Sequence, residues 1–165
     1  MTLLQLGLAL AILAGAGLSD LVGQCAVLFF NKVPPRRFVL CLASGALLFV
    51  GSALLWVLSL WLLGAIAHLP LPLERCLYLV ALAHFPMLLG FLQVLPHFGA
   101  YLFHALRAWA FLALVLAIGV ATGAPPTVCA LVCLPGWALH FSLTHLGLLR
   151  LERIQVALWG FLGGL

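Results

Sequence analysis

Residues 38–67 read FVLCLASGALLFVGSALLWVLSLWLLGAIA, without one charged side chain. A helix needs about 20 consecutive apolar residues to cross the hydrocarbon core of a bilayer, and this run exceeds that. Its ends are marked by chemistry that stops helices or prefers water. Asn31-Lys32-Val33-Pro34-Pro35-Arg36-Arg37 precedes it, and Pro70 and Pro72 follow it. The decisive reading is therefore a membrane-spanning α-helix.

The same pattern recurs on both sides of this run. An apolar run covers residues 3–30 and stops at the 31–37 segment. Others cover about 75–95, closed by Pro96 and His97, about 99–122, closed by Gly123, Pro125 and Pro126, and about 127–148. A last apolar piece, 154–165, is too short to span unaided and is expected to lie along the membrane surface or pack on the bundle. The expected fold is all-α: one polytopic transmembrane helical bundle over 1–165, with about five spans and this short C-terminal segment.

Composition supports the same class. Charged residues make up 6% of the chain, against about 25% in an ordinary globular domain, so there is too little charge to cover a surface facing water. Mean hydropathy is +1.33. The net charge of +4 does not imply nucleic-acid binding, which needs several phosphate contacts on one solvated face. The cations here are scattered between apolar runs. The partners expected are the lipid bilayer and another integral membrane subunit.

The scattered cations instead set topology. If every run spans, Lys32, Arg36 and Arg37, the 96–99 turn next to Arg107, and Arg150 with Arg153 share one side, leaving only Arg75 opposite. The positive-inside rule makes that shared side cytoplasmic and the N-terminus external. Residues 3–18 lack a basic leader and are read as retained rather than as a cleaved signal. Ser19-Asp20 interrupts the first run, so the alternative that 3–18 lie in the interface stays open.

Three constellations stand out within the runs. Gly7, Ala11, Gly15, Ser19 and Gly23 recur at i, i+4, which predicts a line of small side chains where another helix backbone approaches closely, within the bundle or on another subunit. Asp20 lies about 15 Å from the cytoplasmic end of its run at 1.5 Å per residue, near mid-membrane, where a carboxylate is expected to be paired or protonated. Arg107 lies at overlapping depth and Gln24 is one turn from Asp20, so these three are expected to form an intramembrane polar patch. The competing reading has Asp20 capping a break in the helix at the interface.

His97 and His104 are seven apart, and antiparallel runs bring His145 to the depth of His104. Axial ligation of haem or chlorophyll would use such a pair, and hydrogen-bonding or interfacial histidines would be placed the same way. Cys129 and Cys133 share a helix face, but the odd set Cys25, Cys41, Cys76, Cys129 and Cys133 lies in or beside apolar runs, as small hydrophobes do. No metal set is expected. Neither a His-Glu-x-x-His helix, a Gly-x-Ser-x-Gly elbow nor a phosphate loop occurs, and no second intramembrane carboxylate accompanies Asp20, so an enzyme is not expected. The rival to a non-enzymatic contact protein is a cofactor-bearing or small transport subunit.

Residues 81–99, ALAHFPMLLGFLQVLPHFG, followed by Arg107-Ala108-Trp109 and the apolar run to Gly123, resemble the core of Yip1-type membrane proteins. In that family a proline-bearing helix leads through a Pro-x-x-Gly-like turn into a helix that starts near a tryptophan. The resemblance implies a five-helix bundle without known catalysis, associated in eukaryotes with vesicle traffic and small GTPases. A bacterial-type member, accessory to another membrane complex, is the form it implies here.

Overall fold

The computed structural model describes residues 2–95, 98–139 and 141–142. Among them every regular element is helical: α1 (Leu3–Phe30), α2 (Pro35–Ile66), α3 (Leu73–Ala83), a 3₁₀ segment (Phe85–Val94), α4 (Gly99–Thr122) and α5 (Pro126–Leu139).

Local chemistry sets the ends. The Thr2 hydroxyl accepts the Gln5 N–H at 3.3 Å while the Gln5 side chain accepts the Thr2 N–H at 3.0 Å, a reciprocal cap that satisfies two otherwise orphaned donors of α1. At the other end the Asn31 amide donates to the Val27 carbonyl at 2.8 Å, and Lys32 takes a left-handed φ of 52°. Pro35 then opens α2, where its missing N–H costs nothing and its fixed φ already suits a helix. A similar reversal ends α2, with His68 at φ 54° and the Leu69 N–H folded back on the Gly64 carbonyl at 2.9 Å.

α1 runs unbroken through Ser19-Asp20. The reading in which Asp20 caps a helix break is thereby corrected: its carboxylate takes side-chain amides from Gln24, one turn on in α1, and from Gln93 of the 3₁₀ segment, and does not cap a backbone N–H at a helix start. α1, α2 and the Tyr101–Thr122 part of α4 are each long and apolar enough to cross a membrane. The expected third span differs from a straight helix. Pro86 cannot donate to the carbonyl four residues earlier, α-helix ends at Ala83, and the chain bends by 40° into ten residues of 3₁₀ helix. A 3₁₀ helix rises about 2.0 Å per residue against about 1.5 Å, so the 11 and 10 residues of the two pieces still make roughly 35 Å of path. Counting this bent pair as one, four elements can cross. The described part of the expected fifth run, Pro126–Leu139, is shorter than a span, and the remainder of that run, apart from 141–142, lies outside the described residues, as does 154–165.

The bent element is the centre of the bundle. The 3₁₀ segment lies between α1, its most extensive neighbour, and α4, while α3 touches α1, α2 and α4. Trp56 and Leu60 from α2, Val80 from α3, Leu114 and Ile118 from α4, and Cys129 and Cys133 from α5 fill the core. The outward faces are apolar too, with Leu18, Val22, Leu47, Leu62, Leu116 and Val120 all exposed. The buried set in turn includes Asp20, Ser52 and His84. Apolar residues outside and polar residues inside is the arrangement expected when the solvent is lipid, and it is consistent with an integral membrane protein.

Candidate functional site: a buried polar node

The node begins at adjacent residues of α1. The Ser19 hydroxyl donates to the Leu88 carbonyl at 2.8 Å and accepts the Phe91 N–H at 2.9 Å, bridging the two groups that an i→i+3 bond of the 3₁₀ segment would join. Asp20, 6% exposed, receives the Gln24 amide on Oδ2 at 3.1 Å. Gln93, near the end of the 3₁₀ segment, donates one amide nitrogen to both Oδ1, at 3.0 Å, and the Asp20 main-chain carbonyl, at 2.9 Å. Gly90 faces the same point of α1, where a Cβ would stand at ordinary contact distance, 3.6 Å, from the Asp20 Cα.

α4 brings Arg107 to the same place. Asp20 and Arg107 line one cavity and their charges attract across it. The guanidinium carbon of Arg107 also lies 4.5 Å from the centre of the Phe103 ring, a cation–π contact one turn away. His84, at the α3 bend, completes the polar wall. Its Nδ1 lies 2.7 Å from the Val80 carbonyl, which can only accept, so Nδ1 carries a proton and donates. The ring is held edge-on by Phe49 and Trp56 at 5.8 and 5.4 Å between centroids. The enclosed volume is about 20 Å³, room for one water and for no solute.

Asp20, Gln24 and Arg107 are thus brought together. Sequence reasoning named neither Gln93 as a partner of Asp20 nor His84 as part of the patch. The available signal was a lone amide and a lone imidazole inside an otherwise apolar run, both within the stretch disturbed by Pro86. His104 lies elsewhere: it is exposed on α4, with its ring 6.1 Å from that of Phe141. His97 and His145 lie outside the described residues. Among the described residues no three His, Cys, Asp or Glu side chains converge as a metal set.

The small-residue line divides. Gly15 meets Leu88, Ser19 bridges the 3₁₀ backbone and Gly23 meets Gln93, so its inner half clamps the bent element. Gly7 and Ala11 are exposed, and nothing lies within 4 Å of a Cβ built on Gly7. The expectation of a single face is corrected by helix geometry. Steps of four residues advance about 400°, so an i, i+4 line precesses about 40° per step and Gly7 points about 160° away from Gly23. The buried line is Ala9, Ile12, Ala16, Asp20 and Gly23, spaced at three and four.

The chain matches no protein-family model, no curated protein and no solved structure.

Proposed function

We propose that this is a non-enzymatic, multi-pass membrane protein of Yip1-like, bacterial type, acting through helix–helix contacts within the membrane as an accessory or assembly subunit of a larger complex. The observation that carries this reading is the divided small-residue line. Its inner half is consumed inside the bundle, while Gly7 and Ala11 offer a second close-approach surface directed elsewhere. In lipid, association gains little from the hydrophobic effect and depends on close packing, so a surface cleared of side chains is what a partner helix fits. The polar node holds α1, the 3₁₀ segment and α4 in register and so keeps that surface rigid.

The experiment is affinity purification from native membrane of the wild-type chain, Gly7→Leu and Gly15→Leu. Gly7→Leu should leave the protein as stable as wild type and reduce recovery of the co-purifying subunit. Gly15→Leu meets Leu88 at 2.8 Å from the new Cβ and should destabilise the fold itself. Undiminished recovery with Gly7→Leu would mean that this surface faces lipid.

The proposal includes five spans, the fifth formed by the 127–148 run, with Lys32–Arg37 and Arg150–Arg153 on the cytoplasmic side. Support comes from the charge asymmetry and from the reversals at 31–34 and 67–72, which put the end of α1 and the start of α2 at one end of the bundle. Cysteines introduced at Lys32 and Arg153 should react with an impermeant maleimide only after the membrane is opened. Opposite labelling of the two positions rejects the topology.

A further inference from the structure

At the end of the bundle away from the 31–34 turn, a cleft of about 730 Å³ opens between the start of α1, the start of α3 and the end of α4. Its mouth carries Glu74, Arg75 and Tyr78, from the first two turns of α3, and its deeper wall carries Leu82 and Leu116. Val120, exposed on α4, forms the flank. From Arg75 to Leu82 the cleft descends roughly 10 Å along the helix, passing from charge to hydrocarbon. Its volume is that of a small-molecule site. Among the described residues, Glu74 and Arg75 are the charged side chains at this end, and Arg75 is the cation that the positive-inside pattern leaves over.

We propose that this cleft binds a single phospholipid with a primary-ammonium headgroup, the phosphatidylethanolamine type. The cleft and this headgroup are complementary in charge at two points. A guanidinium presents paired N–H donors that match a phosphate, and Tyr78 adds a hydroxyl beside it. A carboxylate one residue away disfavours a purely anionic lipid and suits an ammonium, which lies a few bonds from the phosphate in this headgroup. A quaternary choline carries the same charge but has no N–H to donate to Glu74. Leu82, Leu116 and Val120 then receive part of one acyl chain, a use that a helix from another protein would make of the apolar wall but not of the adjacent opposite charges.

The test uses the full chain in mild detergent, delipidated and titrated with phosphatidylethanolamine, phosphatidylcholine or phosphatidylglycerol of the same acyl chains, read by native mass spectrometry. One phosphatidylethanolamine should remain bound, with affinity about tenfold above the other two, the factor expected for one charge-assisted hydrogen bond. Arg75→Gln should weaken all three lipids, and Glu74→Gln should remove only the preference for phosphatidylethanolamine. Both side chains are exposed, and because Glu74 also has a contact within the chain, each variant is first required to keep the wild-type unfolding midpoint in detergent. Val120→Trp, which fills the flank and leaves the charges untouched, should also weaken phosphatidylethanolamine binding. Binding of all three lipids alike, or a preference that ignores Glu74→Gln, overturns the proposal, as does a polypeptide found in the cleft.

Discussion

Asp20→Asn and Arg107→Gln should each lower the unfolding midpoint in detergent, and the double variant should recover part of the summed loss. Insertion scales put a lone charge at mid-membrane about 2.5–3.5 kcal/mol uphill. Removing one member of a buried pair costs about 3–5 kcal/mol, because the other charge keeps its desolvation penalty and loses its compensation. The two single changes are not equivalent. In Arg107→Gln the carboxylate keeps its contacts with Gln24 and Gln93, at 3.1 and 3.0 Å. In Asp20→Asn the Arg107 charge loses its carboxylate, and the new amide offers one acceptor oxygen where two donors converge. Asp20→Asn should therefore be the more damaging. A coupling energy of about 0.5–3 kcal/mol is expected from the double-mutant cycle. Simple additivity would mean that the two charges do not compensate each other, with Arg107 snorkelling to the headgroups instead.

What the sequence could yield here depended on the helical period. The 3–30 run coincides with α1, and the 38–67 run lies within three residues of α2 at its start and one at its end, because prolines and charges mark both boundaries. Asp20, Gln24 and Arg107 were legible as a group because depth alone relates them, and depth requires only a count of residues from each end. Gln93 and His84 were not legible. Past Pro86 the chain turns about 120° per residue rather than about 100°, so seven residues later, at Gln93, a face assigned with the α period is wrong by roughly 140°. An amide that an α-helix would direct away from α1 is thereby carried onto Asp20. The small-residue line divides for a related reason: i, i+4 spacing suggests one face but winds around α1. The bend at Pro86 is foreseeable as an interruption, but ten residues of 3₁₀ helix are not, since runs beyond three or four residues are uncommon without tertiary support. That support is Ser19, which supplies both a donor and an acceptor to the 3₁₀ backbone from another helix.

Gly99→Ala should be among the most destabilising single-methyl changes in the chain, and for a reason that backbone freedom does not explain. Among the described residues Gly123 is the glycine with positive φ, 71°, and nothing lies within 4 Å of a Cβ built there, so Gly123→Ala carries a conformational cost of about 1–2 kcal/mol and no collision. A Cβ built on Gly99 instead runs into the Gln93 main chain, 2.6 Å from its carbonyl carbon and 3.0 Å from its Cα, and closer still to its oxygen. Backbone cannot rotate aside as a side chain does. The turn between the 3₁₀ segment and α4 would have to open, at a cost of about 1–3 kcal/mol or more. The displaced residue is also the one whose side chain holds Asp20, so the change should loosen the polar node as well as the turn. Gly23→Ala is the informative contrast, since a Cβ there meets the Gln93 side chain rather than its backbone. Introducing Gln93→Ala should relieve the Gly23→Ala collision and leave the Gly99→Ala collision in place. Thermal unfolding of the three single and two double variants in detergent reads the difference. Rescue of Gly99→Ala by Gln93→Ala would show that the side chain, and not the close approach of two backbones, is what demands glycine at this turn.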